Sequence, residues 1–89
     1  MVTKKVLKDK VEYLNEKGQY HREDGPAIEW NNGSKEWFIN GLCHREDGPA
    51  VEWGSGDKWW FLNSEYYSEQ EWKEEVIKIK LERLKNYDK

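Results

Sequence analysis

The sequence predicts an α+β fold: an antiparallel β-meander of about five strands built from hairpin repeats, closed by one C-terminal amphipathic helix. Three observations predict it. First, His21-Arg22-Glu23-Asp24-Gly25-Pro26-Ala27-Ile28-Glu29-Trp30 recurs 23 residues later as His44 to Trp53, with nine of ten positions identical and Val51 in place of Ile28. A repeat of this length is one supersecondary unit that buries its apolar face against its neighbours. Second, each copy alternates apolar and polar residues between turn-forming stretches, which is strand patterning. Third, the repeat stops after Trp60-Phe61-Leu62-Asn63, and apolar residues then return at helical spacing. With 89 residues the chain is expected to form one domain, a β-repeat region over 1–67 and a helix over 68–87.

The first strand is expected at Val11 to Leu14. In Ala27-Ile28-Glu29-Trp30, Ile28 and Trp30 share one face and Glu29 takes the other. Asn32-Gly33 predicts a type I′ turn, because both residues tolerate positive φ. Lys35 to Ile39 then returns as the partner strand. In the second copy Gly54-Ser55-Gly56-Asp57 replaces Asn31-Asn32-Gly33-Ser34, and Lys58 to Leu62 returns. Trp37-Phe38-Ile39-Asn40 recurs as Trp60-Phe61-Leu62-Asn63, with a weaker forerunner, Glu12-Tyr13-Leu14-Asn15, 25 residues before the first. The two extra residues are assigned to the connection Glu16 to Tyr20. Asn40-Gly41 starts the passage to the next unit, and the outer strands need cover.

Ser68-Glu69-Gln70-Glu71 reads as a capping box opening the helix, with Tyr67 and Trp72 as its hydrophobic staple. Acidic residues crowd the first turns and Lys78, Lys80, Arg83 and Lys85 follow, an order that complements the helix dipole. Glu74 and Lys78 stand at favourable i, i+4 spacing. From Glu69 to Tyr87 the helix spans roughly 28 Å at 1.5 Å per residue. Trp72, Val76 and Ile79 form one apolar row; Ile77, Leu81 and Leu84 form a second, turned by about a third of a circle. Two arrangements fit equally: one row on the sheet with the other free for a partner or a twin subunit, or both rows on one broad sheet face.

The polar run His-Arg-Glu-Asp could hold a ligand, a metal or a catalytic group, but an architectural role weighs more. Asp24-Gly25-Pro26 and Asp47-Gly48-Pro49 are turn chemistry, with glycine free to take an unusual φ and proline fixing the start of the next strand. Arg22 and Arg45 can pair with carboxylates, and His21 and His44 are expected to donate to a backbone carbonyl. Equivalent residues of adjacent hairpins lie two strands apart, roughly 9–10 Å, too far to share a zinc ion bound at about 2 Å. The single cysteine, Cys43, reads as a small core filler. No Ser-His-Asp arrangement, phosphate loop or metalloprotease signature is present. The chain is therefore expected to be non-enzymatic, with no cofactor and no metal.

A net charge of −3 with both signs interspersed argues against a general grip on nucleic acid. One cysteine fits a reducing cytoplasm. The start of the chain lacks the apolar run of a signal peptide, and no segment is long enough to span a bilayer. Six Trp, five Tyr and two Phe exceed what so polar a chain is expected to hide, so some aromatic surface should meet a partner.

Trp37-Phe38-Ile39-Asn40-Gly41-Leu42-Cys43-His44 resembles the MORN repeat, whose units are also 23 residues long and carry a Tyr/Trp-x-x-Asn-Gly-x-x-His core, and its phage and bacterial variants, the YwqK-like group. Gly48 matches a later family glycine. Arg-Glu-Asp replaces the usual glycine-rich segment, and Ser64 stands where Gly41 does in the preceding unit. The resemblance covers roughly Glu12 to Asn63 and implies a β-sheet scaffold that binds partners, with no catalytic residues. The expected function is a small non-enzymatic binding module, phage-encoded, that modulates or inhibits a host protein such as a defence factor. Trp37, Trp59, Trp60 and Tyr66 are its expected anchors, since Trp and Tyr dominate interface hot spots. The alternative is an oligomer, associated through the helix, that sequesters a nucleotide or other anion between the corners His21-Arg22 and His44-Arg45.

Overall fold

The computed structural model describes residues 2–87. Among these, nine strands precede one helix: β1 (Thr3–Val6), β2 (Lys10–Leu14), β3 (Ile28–Trp30), β4 (Lys35–Glu36), β5 (Phe38–Ile39), β6 (Leu42–Cys43), β7 (Val51–Glu52), β8 (Lys58–Leu62), β9 (Glu65–Tyr67) and α1 (Glu69–Tyr87). Seven of them form an antiparallel meander in the order β1-β2-β3-β4-β7-β8-β9, and β5 and β6 pair separately.

The count exceeds the expected five because β1, β6 and β9 add to it and because one expected strand divides into β4 and β5. Thr3–Val6 precedes Lys10–Leu14 and pairs with it from Thr3↔Leu14 to Val6↔Val11. Its exposed, lysine-bearing edge gives little apolar signal in the sequence, and such an edge discourages further pairing. The stretch Lys35 to Ile39 also does not run as one strand. At Trp37 the chain changes neighbours: the Trp37 N–H donates to Ala50 O at 2.7 Å, while Trp37 O accepts from His44 N–H at 3.1 Å. Residues 35–36 thus belong to the main sheet and 38–39 to the following hairpin.

The backbone bonds also correct the register of the forerunner. Tyr13 N–H donates to Ala27 O at 2.8 Å, as Trp37 N–H does to Ala50 O. Leu14 bridges to Tyr20 as Phe38 pairs with Cys43 and Phe61 with Tyr66. Tyr13, and not Glu12, is therefore the equivalent of Trp37 and Trp60. One extra residue suffices, in the three-residue loop Glu16-Lys17-Gly18 against the two-residue loop Asn40-Gly41.

The turns are redistributed as well. Asn32 does not take positive φ; Gly33 does, at 91°, and Gly33 N–H donates to Trp30 O at 3.0 Å. This is a type I turn followed by a left-handed glycine, and Gly56 (φ 101°) repeats it. The pair with positive φ at both residues lies instead at Asn40-Gly41 (48° and 84°) and recurs at Asn63-Ser64 (50° and 66°).

Trp59 and Phe61 alternate with Trp60 and Leu62 along β8, so the two pairs face opposite ways. Phe61 joins Cys43, Ala50, Val51, Phe38 and Trp53 in one apolar cluster. Trp60 and Leu62 join Tyr67 and the helix residues Trp72, Val76 and Ile79 in another. The capping box forms: Glu71 N–H donates to Ser68 Oγ at 3.2 Å, and Ser68 N–H donates to Glu71 Oε1 at 3.1 Å. Of the two helix rows, Trp72 (8 % exposed) and Val76 (5 %) cover the sheet, whereas Ile77, Leu81 and Leu84 stay 58, 54 and 60 % exposed. The arrangement with both rows on the sheet is thereby excluded. Lys78 pairs with Glu75 at 3.0 Å rather than with Glu74, which takes Gln70 at 3.3 Å.

Candidate functional site

The two His-Arg-Glu-Asp-Gly-Pro-Ala segments fold into matching corners. Arg22 Nε donates to Asp24 Oδ1 at 3.1 Å and its Nη1 to Pro26 O at 3.2 Å. Arg45 repeats this with Asp47 Oδ1 at 2.9 Å and Pro49 O at 3.1 Å, and its Nη1 also reaches Glu52 Oε2 at 3.1 Å. Each guanidinium lies over the aromatic ring of the preceding hairpin, Arg22 Cζ 4.0 Å from the Tyr13 centroid and Arg45 Cζ 3.8 Å from that of Trp37. Its other side meets the corner glycine. A Cβ on Gly25 would stand 3.0 Å from Arg22 Cζ, and one on Gly48 would stand 2.8 Å from Arg45 Cζ. Neither glycine takes positive φ, and at both the space a Cβ would occupy is taken by a guanidinium.

The histidines also act differently from the expectation. Asn40 N–H donates to His21 Nδ1 at 2.9 Å, and Asn63 N–H to His44 Nδ1 at 3.0 Å. Nδ1 therefore accepts and Nε2 carries the proton. The His44 Nε2 faces Glu46 Oε2 at 2.8 Å, and the His21 Nε2 stands 3.6 Å from Glu23 Oε2. Each histidine clips its corner to the turn of the following hairpin.

In the third unit the helix takes over. Trp60 is the equivalent of Trp37, and Trp72 packs on it at 4.7 Å between centroids where an arginine would otherwise lie. The Trp72 Nε1 donates to Arg45 O at 2.9 Å. One turn before the end of α1, Arg83 grips Glu46 with both terminal nitrogens at 2.7 Å. The Arg83 guanidinium holds the Glu46 carboxyl below its usual range, helped by His44 against the opposing effect of burial.

The opposite face of the sheet carries no helix. Cross-strand pairing lines up Glu12, Ile28, Glu36, Val51 and Trp59 on it. Its N-terminal half is polar and internally satisfied. Lys10 bonds Glu12 at 2.8 Å, Tyr20 Oη donates to Glu12 Oε2 at 3.0 Å, and Trp30 Nε1 donates to Glu36 Oε2 at 2.7 Å. Its C-terminal half is aromatic. Trp59 stands edge-on to Trp53 at 5.2 Å, and Tyr66 edge-on to Phe61 at 5.6 Å. Trp59 is 44 % and Tyr66 64 % exposed.

The expected anchors thus separate. Trp59 and Tyr66 lie exposed on the helix-free face. Trp37 lies half-buried beneath Arg45, and Trp60 half-buried beneath Trp72. Of the expected anion set, Arg22, His44 and Arg45 line one groove together with Trp37 and Arg83, while His21 lines another with Arg22; both guanidiniums are already engaged by carboxylates and an aromatic ring. Trp53, which braces Trp59, carried no sequence signal, and Trp72, expected as a staple and core residue of the helix, also completes the series begun by Arg22 and Arg45. Counting forward 23 positions from Arg45 to Ser68, where the arginine is missing, would have pointed to a substitute nearby.

Cys43 is buried, and burial together with Glu36 pushes its thiol up to about 12, so it is no nucleophile near neutral pH. Among the described residues no cluster of His, Cys, Asp and Glu could hold a metal ion, and no helix is long and apolar enough to cross a membrane.

No family model, curated protein or solved structure matches this chain. Its functional reading therefore rests on its own geometry and on the repeat.

Proposed function

We propose that this protein is a non-enzymatic, MORN-like binding module whose helix-free sheet face seats a partner protein. The observation that carries the reading is the pair Trp59 and Tyr66, exposed on adjacent strands and each braced edge-on by a second ring. Rings held in this way lose little conformational freedom on binding, and Trp and Tyr are the residues that dominate interface energetics. The corners supply architecture, and Trp37 and Trp60 serve packing rather than contact. The resemblance to phage repeats extends the proposal to a phage-encoded module acting on a host protein in the cytoplasm.

The test is affinity for a partner recovered as a stoichiometric complex and identified by native mass spectrometry. Trp59→Ala and Tyr66→Ala should each weaken binding at least tenfold, about 1.4 kcal/mol, while circular dichroism stays unchanged. Unchanged affinity in both variants would move the binding surface elsewhere. For the nucleotide-sequestering alternative, isothermal titration with a nucleotide panel should give no heat.

A further inference from the structure

The second helix row has a surround of its own. The exposed Ile77, Leu81 and Leu84 follow one another at i+4 and i+3 spacing along α1. Their neighbours on the helix surface are the residues three and four positions away. Among the residues whose side chains are described, those are Lys73 and Lys80 on one flank and Lys78 and Lys85 on the other, with Glu74 as the one acid among them. The remaining helix acids, Glu69, Glu71, Glu75 and Glu82, stand outside this ring of neighbours. Glu74 is bonded to Gln70 at 3.3 Å. The pairs Lys73–Glu69 (3.6 Å), Lys78–Glu75 (3.0 Å) and Lys85–Glu82 (3.8 Å) are solvent-exposed and hence readily exchanged for another carboxylate.

We infer that this face of α1 docks an acidic amphipathic helix of a partner protein. Leucine-type side chains of that helix would enter between Ile77, Leu81 and Leu84, and its flanking Glu or Asp residues would meet the four lysines. A second copy of this chain fits poorly, because lysine flanks would then face lysine flanks. The inference concerns a surface distinct from Trp59 and Tyr66, so either can fail without the other.

The probe is a labelled synthetic helix of about three heptads, with Leu at the core positions and Glu at the flanking positions, titrated with the full chain and read by fluorescence anisotropy. Its counterpart with Lys in place of Glu is the control. The acidic peptide should bind at least about tenfold tighter than the basic one at low salt, and the difference should collapse near 1 M salt, where the Debye length falls to about 3 Å. Leu81→Asp should abolish binding. Joint replacement of Lys73, Lys78, Lys80 and Lys85 by Glu should invert the preference, and this variant keeps the apolar row. Trp59→Ala should leave peptide binding unchanged. Equal binding of both peptides, no binding of either, or persistence in Leu81→Asp would overturn the inference. So would a dimer of the chain alone by sedimentation, or adsorption through this row to anionic vesicles without peptide binding.

Discussion

The sandwich of aromatic ring, guanidinium and glycine at the second corner makes a prediction whose sign reverses with context. The perturbation is Gly48→Ala. Gly48 does not take positive φ, so an alanine meets no left-handed strain there. Alone, this would stabilise the fold by about 0.4–1 kcal/mol through the unfolded chain. Yet its Cβ would stand 2.8 Å from Arg45 Cζ, and the guanidinium would have to leave its place. Leaving costs the stacking on Trp37, about 0.5–1 kcal/mol, and weakens the charge-assisted bond to Asp47, itself worth about 1.5–3 kcal/mol at most and less where, as here, the carboxylate is exposed. Gly48→Ala should therefore cost about 1–2 kcal/mol net in the parent chain. In an Arg45→Ala background the obstruction is gone, and the same change should be neutral or stabilising by about 0.5 kcal/mol. Urea denaturation followed by tryptophan fluorescence gives all four corners of the cycle. The expected coupling is about 1–2.5 kcal/mol. Additivity within about 0.5 kcal/mol would refute the space argument. The Gly25→Ala change, whose Cβ would stand at 3.0 Å from Arg22, should behave alike but more mildly.

Further predictions follow from the same geometry. Ser64 sits at φ 66° yet its Oγ accepts from Cys43 N–H at 3.0 Å. Ser64→Ala should thus lose about 1 kcal/mol, whereas Ser64→Gly, which relieves the backbone, should stay within about 0.5 kcal/mol of the parent; both are read by thermal melts. The Glu46 carboxyl is held below its ordinary range by Arg83. Its contribution is present at neutral pH and is lost as pH falls through the depressed folded value. The melting temperature of the parent should therefore exceed that of Arg83→Ala at pH 7, and the gap should shrink on acidification toward and below that value. With its thiol raised to about 12, Cys43 should react with a thiol-specific alkylating agent at pH 8 only on unfolding; labelling with and without urea checks this.

Much of the fold was legible because local chemistry and the repeat agreed. The near-identity of two ten-residue stretches 23 positions apart, the capping box and the helix limits carry their own signals, and each reappears in the structure. What failed to show depended on how side chains and hairpins fold over one another. Gly48 looked like a turn residue, but a Cβ there would meet the Arg45 guanidinium, which the stacking on Trp37 holds in place. His21 and His44 looked like donors, but acceptance from Asn40 and Asn63 depends on how the next hairpin folds over the corner. Aligning Asn15 with Asn40 misplaced the first unit by one residue, since only the ladder of hydrogen bonds distinguishes a three-residue loop from a two-residue loop. Of the expected anchors, Trp59 was legible as exposed only once strand alternation was fixed, and Trp60 was lost to Trp72, whose place on it no local pattern announces.

The central claim is that both polar corners are matching structural joints, each closed by a neutral histidine that accepts a backbone N–H from the following hairpin. Long-range proton–nitrogen correlation NMR at pH 8 tests it most directly, because it reads the protonated nitrogen of each ring. The account predicts the Nε2–H form for both His21 and His44, with slow hydrogen exchange at the Asn40 and Asn63 amides. Nδ1–H rings, or rapid exchange at those two amides, would contradict it.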